Sequence, residues 1–219
     1  MIIAIDGPAG AGKSTVAKIL AKKLGVLYID TGAMYRALTL KVLNQGIDIH
    51  DIPALVKMAK GTRIVLENDQ GGTLKIFLDK KDVTKDIRQP SISACVSDIA
   101  KIKEIRDIML VLQRELGDSR DAILDGRDIG TVVFPDARKK FYIDADFAER
   151  VQRRFKELRE LGEKVSIEDV ARDLHNRDDI DSNRKVAPLK QADDALRIDT
   201  TDMTIEQVVE KLWEELYNG

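Results

Sequence analysis

The sequence contains a single cysteine, Cys95, and only two histidines, His50 and His175. One cysteine excludes an intrachain disulfide, so a reducing, cytoplasmic environment is expected. None of these side chains lies in a metal-ligand spacing or in a nucleophile–base motif. The sequence therefore gives no indication of a zinc site or of a catalytic pair of nucleophile and histidine base.

Long apolar runs and an excess of charge of one sign are also missing. No stretch of about 18 apolar residues occurs, which argues against a transmembrane helix, and the first residues lack the basic and apolar regions of a signal peptide. The net charge is −2, so neither nucleic acid nor a membrane surface is expected as a partner. With 219 residues, 43% of them hydrophobic, the chain can form one large α/β domain or a core with small insertions.

The first fifteen residues contain the strongest motif. Ile2 to Ile5 form a short apolar run typical of a buried strand. Gly7 to Ser14 then match the pattern G-x-x-x-x-G-K-[ST] ahead of an apolar-periodic helix. Backbone N–H groups and a helix N-terminus in this arrangement bind phosphates. We therefore predict a nucleotide-binding loop comprising Gly7, Pro8, Ala9, Gly10, Ala11, Gly12, Lys13, Ser14 and Thr15, in which Lys13 reaches the β- and γ-phosphates and Ser14 ligates Mg²⁺.

Alternation of short apolar runs with helical periodicity defines the expected fold. It predicts an α/β fold with a five-stranded parallel sheet flanked by helices and right-handed crossovers. The predicted strands are residues 2–5, 26–29, 122–124, 139–143 and 195–199. A hairpin with its loop at 67–72 interrupts the alternation and predicts an inserted subdomain.

Three later segments have their own patterns. Residues 91–116 show continuous helical periodicity, and helices are expected at 147–161 and 166–176. A strongly polar stretch, 177–184, follows the last of these. We divide the chain into a core, an α/β insertion and a helical segment; the core comprises 1–46, 91–149 and 186–219, the insertion 47–90, and the helical segment 150–185.

Charged residues indicate what the nucleotide is used for. Asp125 directly follows a predicted strand, where P-loop proteins often place a carboxylate near Mg²⁺. Arginines recur near predicted strand ends and on basic helices: Arg36, Arg88, Arg106, Arg127, Arg138, Arg153, Arg154, Arg177 and Arg184. Guanidinium groups bind phosphate bidentately, and phosphoryl transfer brings two anions together in line. The arginines therefore favour a phosphorylated acceptor, with a solvated ion pair as the alternative for any one of them.

Several blocks resemble the bacterial cytidylate kinases, a family of P-loop nucleoside monophosphate kinases. Besides the glycine loop they are Asp-Thr-Gly-Ala-Met-Tyr-Arg (30–36), Asp-Gly-Arg-Asp-Ile-Gly-Thr-Val-Val-Phe-Pro-Asp-Ala (125–137), Arg-Asp-Asp-Ile-Asp-Ser-Asn-Arg (177–184) and Val-Ala-Pro-Leu (186–189). The resemblance implies transfer of the γ-phosphate of ATP to CMP or dCMP, with Mg²⁺, by a monomer. It also implies that 47–90 binds the acceptor and that 150–185 is a mobile lid.

The resemblance further implies site residues. The acceptor phosphate would be held by Arg36, Arg127 and Arg184. The cytosine edge, which offers one donor and two acceptors, would be read by Ser97, Arg106 and Asp128. The sugar or the transferring phosphate would be contacted by Arg177 and Asp181, and Thr31 would also line the CMP site. Catalysis would depend on Lys13, Arg127, Arg177 and Arg184, and the metal on Ser14 and Asp125.

Two other functions stay open at this point. One is a related P-loop kinase that acts on another monophosphate, such as UMP, or on a non-nucleotide acceptor. The other is a nucleotide-dependent switch, although the sequence has no guanine-reading Asn-Lys-x-Asp and a switch would leave the arginine-rich segments unexplained.

Overall fold

The computed structural model describes residues 1–68 and 74–217. The chain divides into two compact units, the first formed by Met1–Tyr28 and Arg120–Gly219 and the second by Ile29–Ser119. Most of the predicted hairpin loop at 67–72 lies outside the described residues.

The secondary structure alternates between strands and helices. The strands are β1 (Ile2–Asp6), β2 (Leu27–Asp30), β3 (Ile64–Asn68), β4 (Leu74–Leu78), β5 (Lys81–Asp82), β6 (Ala122–Gly126), β7 (Lys139–Asp144) and β8 (Leu196–Asp199). The helices are α1 (Lys13–Leu24), α2 (Thr31–Gln45), α3 (Ile52–Lys60), α4 (Pro90–Ala100), α5 (Lys103–Asp118), α6 (Phe147–Glu160), α7 (Ile167–Asn183) and α8 (Ile205–Tyr217).

The predicted parallel sheet is confirmed. Its five strands lie in the order β2-β6-β1-β7-β8, and β1 pairs in parallel with both β6 and β7. In this register Asp6, the last residue of β1, lies opposite Gly126. The residues that follow β1 and β6, namely the glycine loop and the Arg127–Asp128 segment, therefore leave the same edge of the sheet, where ligands bind in folds of this kind.

The core of the first unit forms because β1 is apolar on both faces. Ile3 and Ile5 are fully buried, as are Leu20 of α1 and Phe141 of β7. A second apolar cluster lies between α6 and α7, and it includes one residue of the glycine loop. Its members are Ala9, Val151, Leu158, Val170 and Leu174.

The second unit combines helices with a small antiparallel sheet. Strands β3, β4 and β5 form this sheet, which confirms the predicted paired strands. Helix α2 packs against α4, and α3 packs against α5. Met34, Leu55 and Ile99 are fully buried in these helices.

The prediction of continuous helix over 91–116 was wrong in one respect, because the segment is two helices. Lys101 and Ile102 separate α4 from α5, and Ile102 has extended backbone angles, φ −72° and ψ 119°. The guanidinium of Arg106 donates a hydrogen bond of 3.1 Å to the carbonyl of Ala100 at the end of α4. The apolar period continues through the break, so sequence periodicity alone could not reveal it.

Residues Ile129–Val133 form a π-helical turn directly after Asp128. The N–H groups of Val132 and Val133 both donate to the Asp128 carbonyl, at 2.9 and 3.1 Å. Such wide turns are rare in proteins, and those that occur are frequently found at functional sites. This one follows the segment that contains Arg127 and Asp128.

Candidate active site

The glycine loop has the backbone that its sequence predicts. Gly7 has φ +146°, and a Cβ atom placed there would lie 1.9 Å from the carbonyl oxygen of Ile143. No other residue fits that position without displacing β7. Gly12, with φ +84°, is the N-cap of α1, so the loop ends at a helix N-terminus as phosphate binding requires.

Lys13 is buried in this loop. Its ammonium group donates a hydrogen bond of 2.5 Å to the carbonyl of Pro8. Burial and, to a smaller extent, the positive charge of Arg127 lower the pKa of Lys13 from 10.5 to about 7, although nearby carboxylates oppose the shift. An anionic phosphate beside this amine would favour its charged form. Lys13 thus lies where a phosphate bound by the loop would stabilise its positive charge.

Two oxygen groups suited to a magnesium ion lie at the end of β6. The hydroxyl of Ser14 donates to Asp125 Oδ2 at 2.6 Å, and the phenol of Tyr28 donates to Asp125 Oδ1 at 2.9 Å. In the described parts of the chain, no group of three or more His, Cys, Asp or Glu side chains could hold a metal ion. Mg²⁺ at phosphate sites uses one or two protein oxygens together with phosphates and water, and the hydroxyl and carboxylate here fit that mode.

A buried network of arginines and aspartates joins the segment after β6 to the end of α7. Arg127 Nε donates to Asp181 Oδ2 at 2.9 Å, and Arg184 contacts Asp181 and Asp128, each at 3.4 Å. The side chain of Arg184 is 3% exposed, so water screens these charges poorly. Burial opposes the charge on Arg127, but its anionic neighbours Asp181, Asp178 and Asp125 raise its pKa.

Arg177 belongs to the same region but is less well paired. Its nearest carboxylate, Asp173, lies 3.8 Å away, and its buried Nε has no hydrogen-bond partner. Burial and the charge of Arg127 lower the pKa of Arg177 to about 10. A guanidinium in this state is stabilised by any anion that reaches it.

Residues 177–183 are helical, which corrects the prediction that α7 ends near residue 176. The stretch reads as too polar for a packed helix, yet Asp181 is buried because arginines neutralise it. One of these arginines, Arg127, is 54 residues away in the chain. A local reading of the sequence could not supply that partner.

The structure also brings forward residues that the sequence did not single out. Asp178 accepts hydrogen bonds from Arg150, at 2.5 Å, and from the N–H of Ala9, at 3.3 Å. Arg150 donates to the carbonyl of Ala9 at 2.9 Å. The glycine loop is thus hydrogen-bonded to both α6 and α7. Tyr28, which donates a hydrogen bond to Asp125, was also missed. Its only signal in the sequence was its position in the predicted strand 26–29.

The remaining predicted residues lie in the second unit. Arg36 donates to both oxygens of Asp30, at 3.3 and 3.1 Å, and Asp30 also caps α2 through the N–H of Ala33. The guanidinium of Arg106 is buried and lies 5.6 Å from the ring centroid of Tyr35. Ser97 of α4 and Thr31, the first residue of α2, are both buried. Each of these side chains has a fixed place within its own unit.

None of the helices described here has both the length and the apolar character that a membrane span requires.

The sequence and the fold are both similar to those of known proteins. The family model described as Cytidylate kinase matches residues 3–218. The chain is 49% identical to the cytidylate kinase of Caldanaerobacter subterraneus subsp. tengcongensis, over 98% of this chain and 93% of that protein. It is 50% identical to the cytidylate kinase of Clostridioides difficile, over 97% and 96%. An uncharacterized protein from Eubacterium ventriosum shares the fold, with a TM-score of 0.55 at 12% identity over 100% of this chain and 99% of its own. The chain belongs to the cytidylate kinase family.

Proposed function

We propose that this protein transfers the γ-phosphoryl group of ATP to CMP and dCMP, forming CDP and dCDP. The observation that supports this most is a set of largely buried arginines in the same unit as the glycine loop: the side chains of Arg127, Arg177 and Arg184 are 18%, 13% and 3% exposed. A nucleotide site alone needs no such set. A second phosphate does, because two anions must approach each other in line.

The donor half of the site is the glycine loop. Its N–H groups and the start of α1 would hold the phosphates of ATP, and Lys13 would neutralise charge on the β- and γ-phosphates. Ser14 and Asp125 would hold Mg²⁺, which would supply positive charge to stabilise the negative charge that develops during transfer. Tyr28 would keep the Asp125 carboxylate in one orientation through its 2.9 Å hydrogen bond.

The acceptor phosphate would replace carboxylates as the partner of the arginines. Asp181 now accepts from Arg127 and Arg184, and a phosphate offers the same acceptor geometry with more charge. The attacking oxygen of a monophosphate is already anionic, so no general base is required. Catalysis would consist of positioning and charge stabilisation by Lys13, Arg127, Arg177 and Arg184. Arg36 is proposed to contact the same phosphate.

Recognition of cytosine is assigned to three buried polar side chains. Asp128 would accept the hydrogen of the cytosine N4 amine, while Ser97 and Arg106 would donate to N3 and O2. Uracil has an acceptor in place of that amine, so a carboxylate at this position would disfavour it. Thr31 and Asp181 are proposed to complete the contacts to CMP.

Residues 150–185, which include most of α6 and all of α7, are proposed to form a lid. The core would comprise residues 1–46, 91–149 and 186–219, and residues 47–90 would form an acceptor-binding insertion. The hydrogen bonds from Arg150 and Asp178 to Ala9 provide a path by which nucleotide in the loop would affect the lid. Closure would bring Arg177 to the transferring phosphate and exclude water.

A coupled assay of ADP release tests the proposal. Purified protein with MgATP would be given CMP, dCMP, UMP, AMP or shikimate, with no acceptor as the control. We expect turnover with CMP and dCMP well above the others. Equal turnover with UMP or with a non-nucleotide acceptor would favour a related kinase, and slow ATP hydrolysis unaffected by every acceptor would favour a switch.

We further propose that the protein acts in the cytoplasm as a monomer. The single cysteine is compatible with reducing conditions, and the monomeric state is an expectation from the family. Light scattering after size-exclusion chromatography should give the mass of one chain, 24.5 kDa. A mass of twice that value would contradict the monomer.

A further inference from the structure

A buried carboxylate lies between the donor loop and the proposed acceptor site. Asp6 is the last residue of β1 and immediately precedes Gly7, and it is 4% exposed. None of the roles given above to donor, acceptor or metal uses it. A buried carboxylate is costly unless its oxygens are satisfied, so its partners reveal its task.

Those partners are two consecutive backbone N–H groups. Ile129 N–H donates to Oδ1 of Asp6 at 2.8 Å, and Gly130 N–H donates to Oδ2 at 2.7 Å. Both belong to the start of the π-helical turn that follows Arg127 and Asp128. Each carboxylate oxygen thus holds one of two consecutive peptide units, 128–129 and 129–130, which fixes the turn in position and in orientation.

The turn is confined on its other side as well. A Cβ atom on Gly130 would lie 3.0 Å from Cδ of Lys140 and 3.4 Å from Oδ2 of Asp6. Lys140 is itself anchored, because its ammonium group donates to both oxygens of Asp194, at 2.9 and 2.7 Å. Gly130 is therefore enclosed between two fixed side chains, and a shift of Asp6 would move the turn.

The electrostatic state of Asp6 agrees with this task. Burial raises its pKa to about 7, and the two N–H groups oppose that shift. Near neutral pH the carboxylate form is accessible, and only that form accepts from both amides without competition from its own proton.

We propose that Asp6 is a positioning residue for the acceptor site. By accepting hydrogen bonds from the backbone N–H groups of Ile129 and Gly130, it holds Arg127 and Asp128 in register with the glycine loop that begins at Gly7. The role rests on the proposed function, because Arg127 and Asp128 are assigned there to the acceptor phosphate and to the base. It extends that function by connecting the donor and acceptor halves through one side chain.

The variant Asp6→Asn tests this role. An amide offers one acceptor oxygen and presents an NH₂ group to the second N–H, so the turn loses half of its anchor with almost no change in volume. We expect the KM for CMP to rise about tenfold, since small displacements of positioned groups have effects of this size or larger, and the KM for ATP to stay within about twofold. Ile129 and Gly130 should also exchange their amide hydrogens faster in the ligand-free protein.

The matched control is Ile5→Val, which removes a methylene from the neighbouring buried position of the same strand. It destabilises the core without touching the turn, so the KM for CMP and the exchange of both amides should match the wild type. If Ile5→Val reproduced the Asp6→Asn pattern, or if Asp6→Asn altered neither KM nor exchange, the positioning role would be wrong.

Two further outcomes are separable. If the wild type did not phosphorylate CMP, the proposed function would be wrong. The anchoring of the turn by Asp6 would then be judged from amide exchange alone, and unchanged exchange of Ile129 and Gly130 in Asp6→Asn would overturn it. If Asp6→Asn did not fold, Gly130→Ala would serve as a second variant, because its added methyl group would press against Lys140 and Asp6 and displace the turn. We expect it to raise the KM for CMP two- to fivefold, and an unchanged KM would contradict the role of Asp6.

Discussion

Replacement of Arg127 by lysine separates charge from geometry at the proposed acceptor site. Arg127 uses Nε to reach Asp181 at 2.9 Å and Nη1 to reach the Gly126 carbonyl at 3.2 Å. A lysine retains the positive charge but has no planar fork, so it can make only one of two parallel bonds to a phosphate. A charge-assisted hydrogen bond contributes about 1.5–3 kcal/mol, so kcat/KM for CMP should fall by about 10- to 150-fold.

The assay is steady-state kinetics with each substrate varied at saturating levels of the other. We expect the loss to appear in kcat/KM for CMP, with the KM for ATP within about twofold. Arg172→Lys is the matched control, because Arg172 lies on α7 with a side chain that is 71% exposed and should behave as wild type. If Arg127→Lys retained kcat/KM within about threefold, or lost affinity for ATP equally, Arg127 would not be an acceptor ligand.

Three other predictions follow from the same geometry. Lys13→Ala should lower kcat by a factor of about 100 or more, because the cation beside the transferring phosphate is lost; wild-type turnover would contradict its placement. Asp128→Ala should reduce the ratio of kcat/KM for CMP over UMP, and an unchanged ratio would remove Asp128 from base recognition. Burial raises the pKa of Asp6 from 3.8 to about 7, so the stability it contributes is present below pH 3.8 and is lost as the pH rises through 7. Urea unfolding should therefore show that the free energy of unfolding of the wild type falls, relative to that of Asp6→Asn, by up to about 4 kcal/mol between pH 3.8 and 7. A difference that stays constant with pH would refute the shift in pKa.

Features encoded within a short stretch of sequence could be predicted. The glycine loop needs positive φ at particular positions and a helix directly after it, and Gly7 and Gly12 meet both requirements. Asp125 could be expected near Ser14 because strand order places carboxylates at the sheet edge, and the 2.6 Å hydrogen bond between them agrees. Asp6 ends a buried strand in the same way, so the rule that found Asp125 could have found it too.

Features that depend on distant partners could not be predicted. Within the helical residues 177–183, Asp181 is buried beside Arg127, a partner that lies 54 residues away in the chain. The break between α4 and α5 has no glycine or proline to mark it, and the hydrogen bond from Arg106 to Ala100 exists only in the folded chain. Polarity and periodicity describe a segment alone, whereas these outcomes are set by tertiary contacts.

The central claim is that the arginine network binds the phosphate of CMP, which then accepts the γ-phosphoryl group of ATP. Its most direct test follows the label from ATP carrying ³²P in the γ position during reaction with CMP. The account predicts that the label appears in the β-phosphate of CDP in a one-to-one ratio with ADP, and that Arg127→Lys reduces this transfer. Label released as inorganic phosphate, with none in CDP, would contradict it.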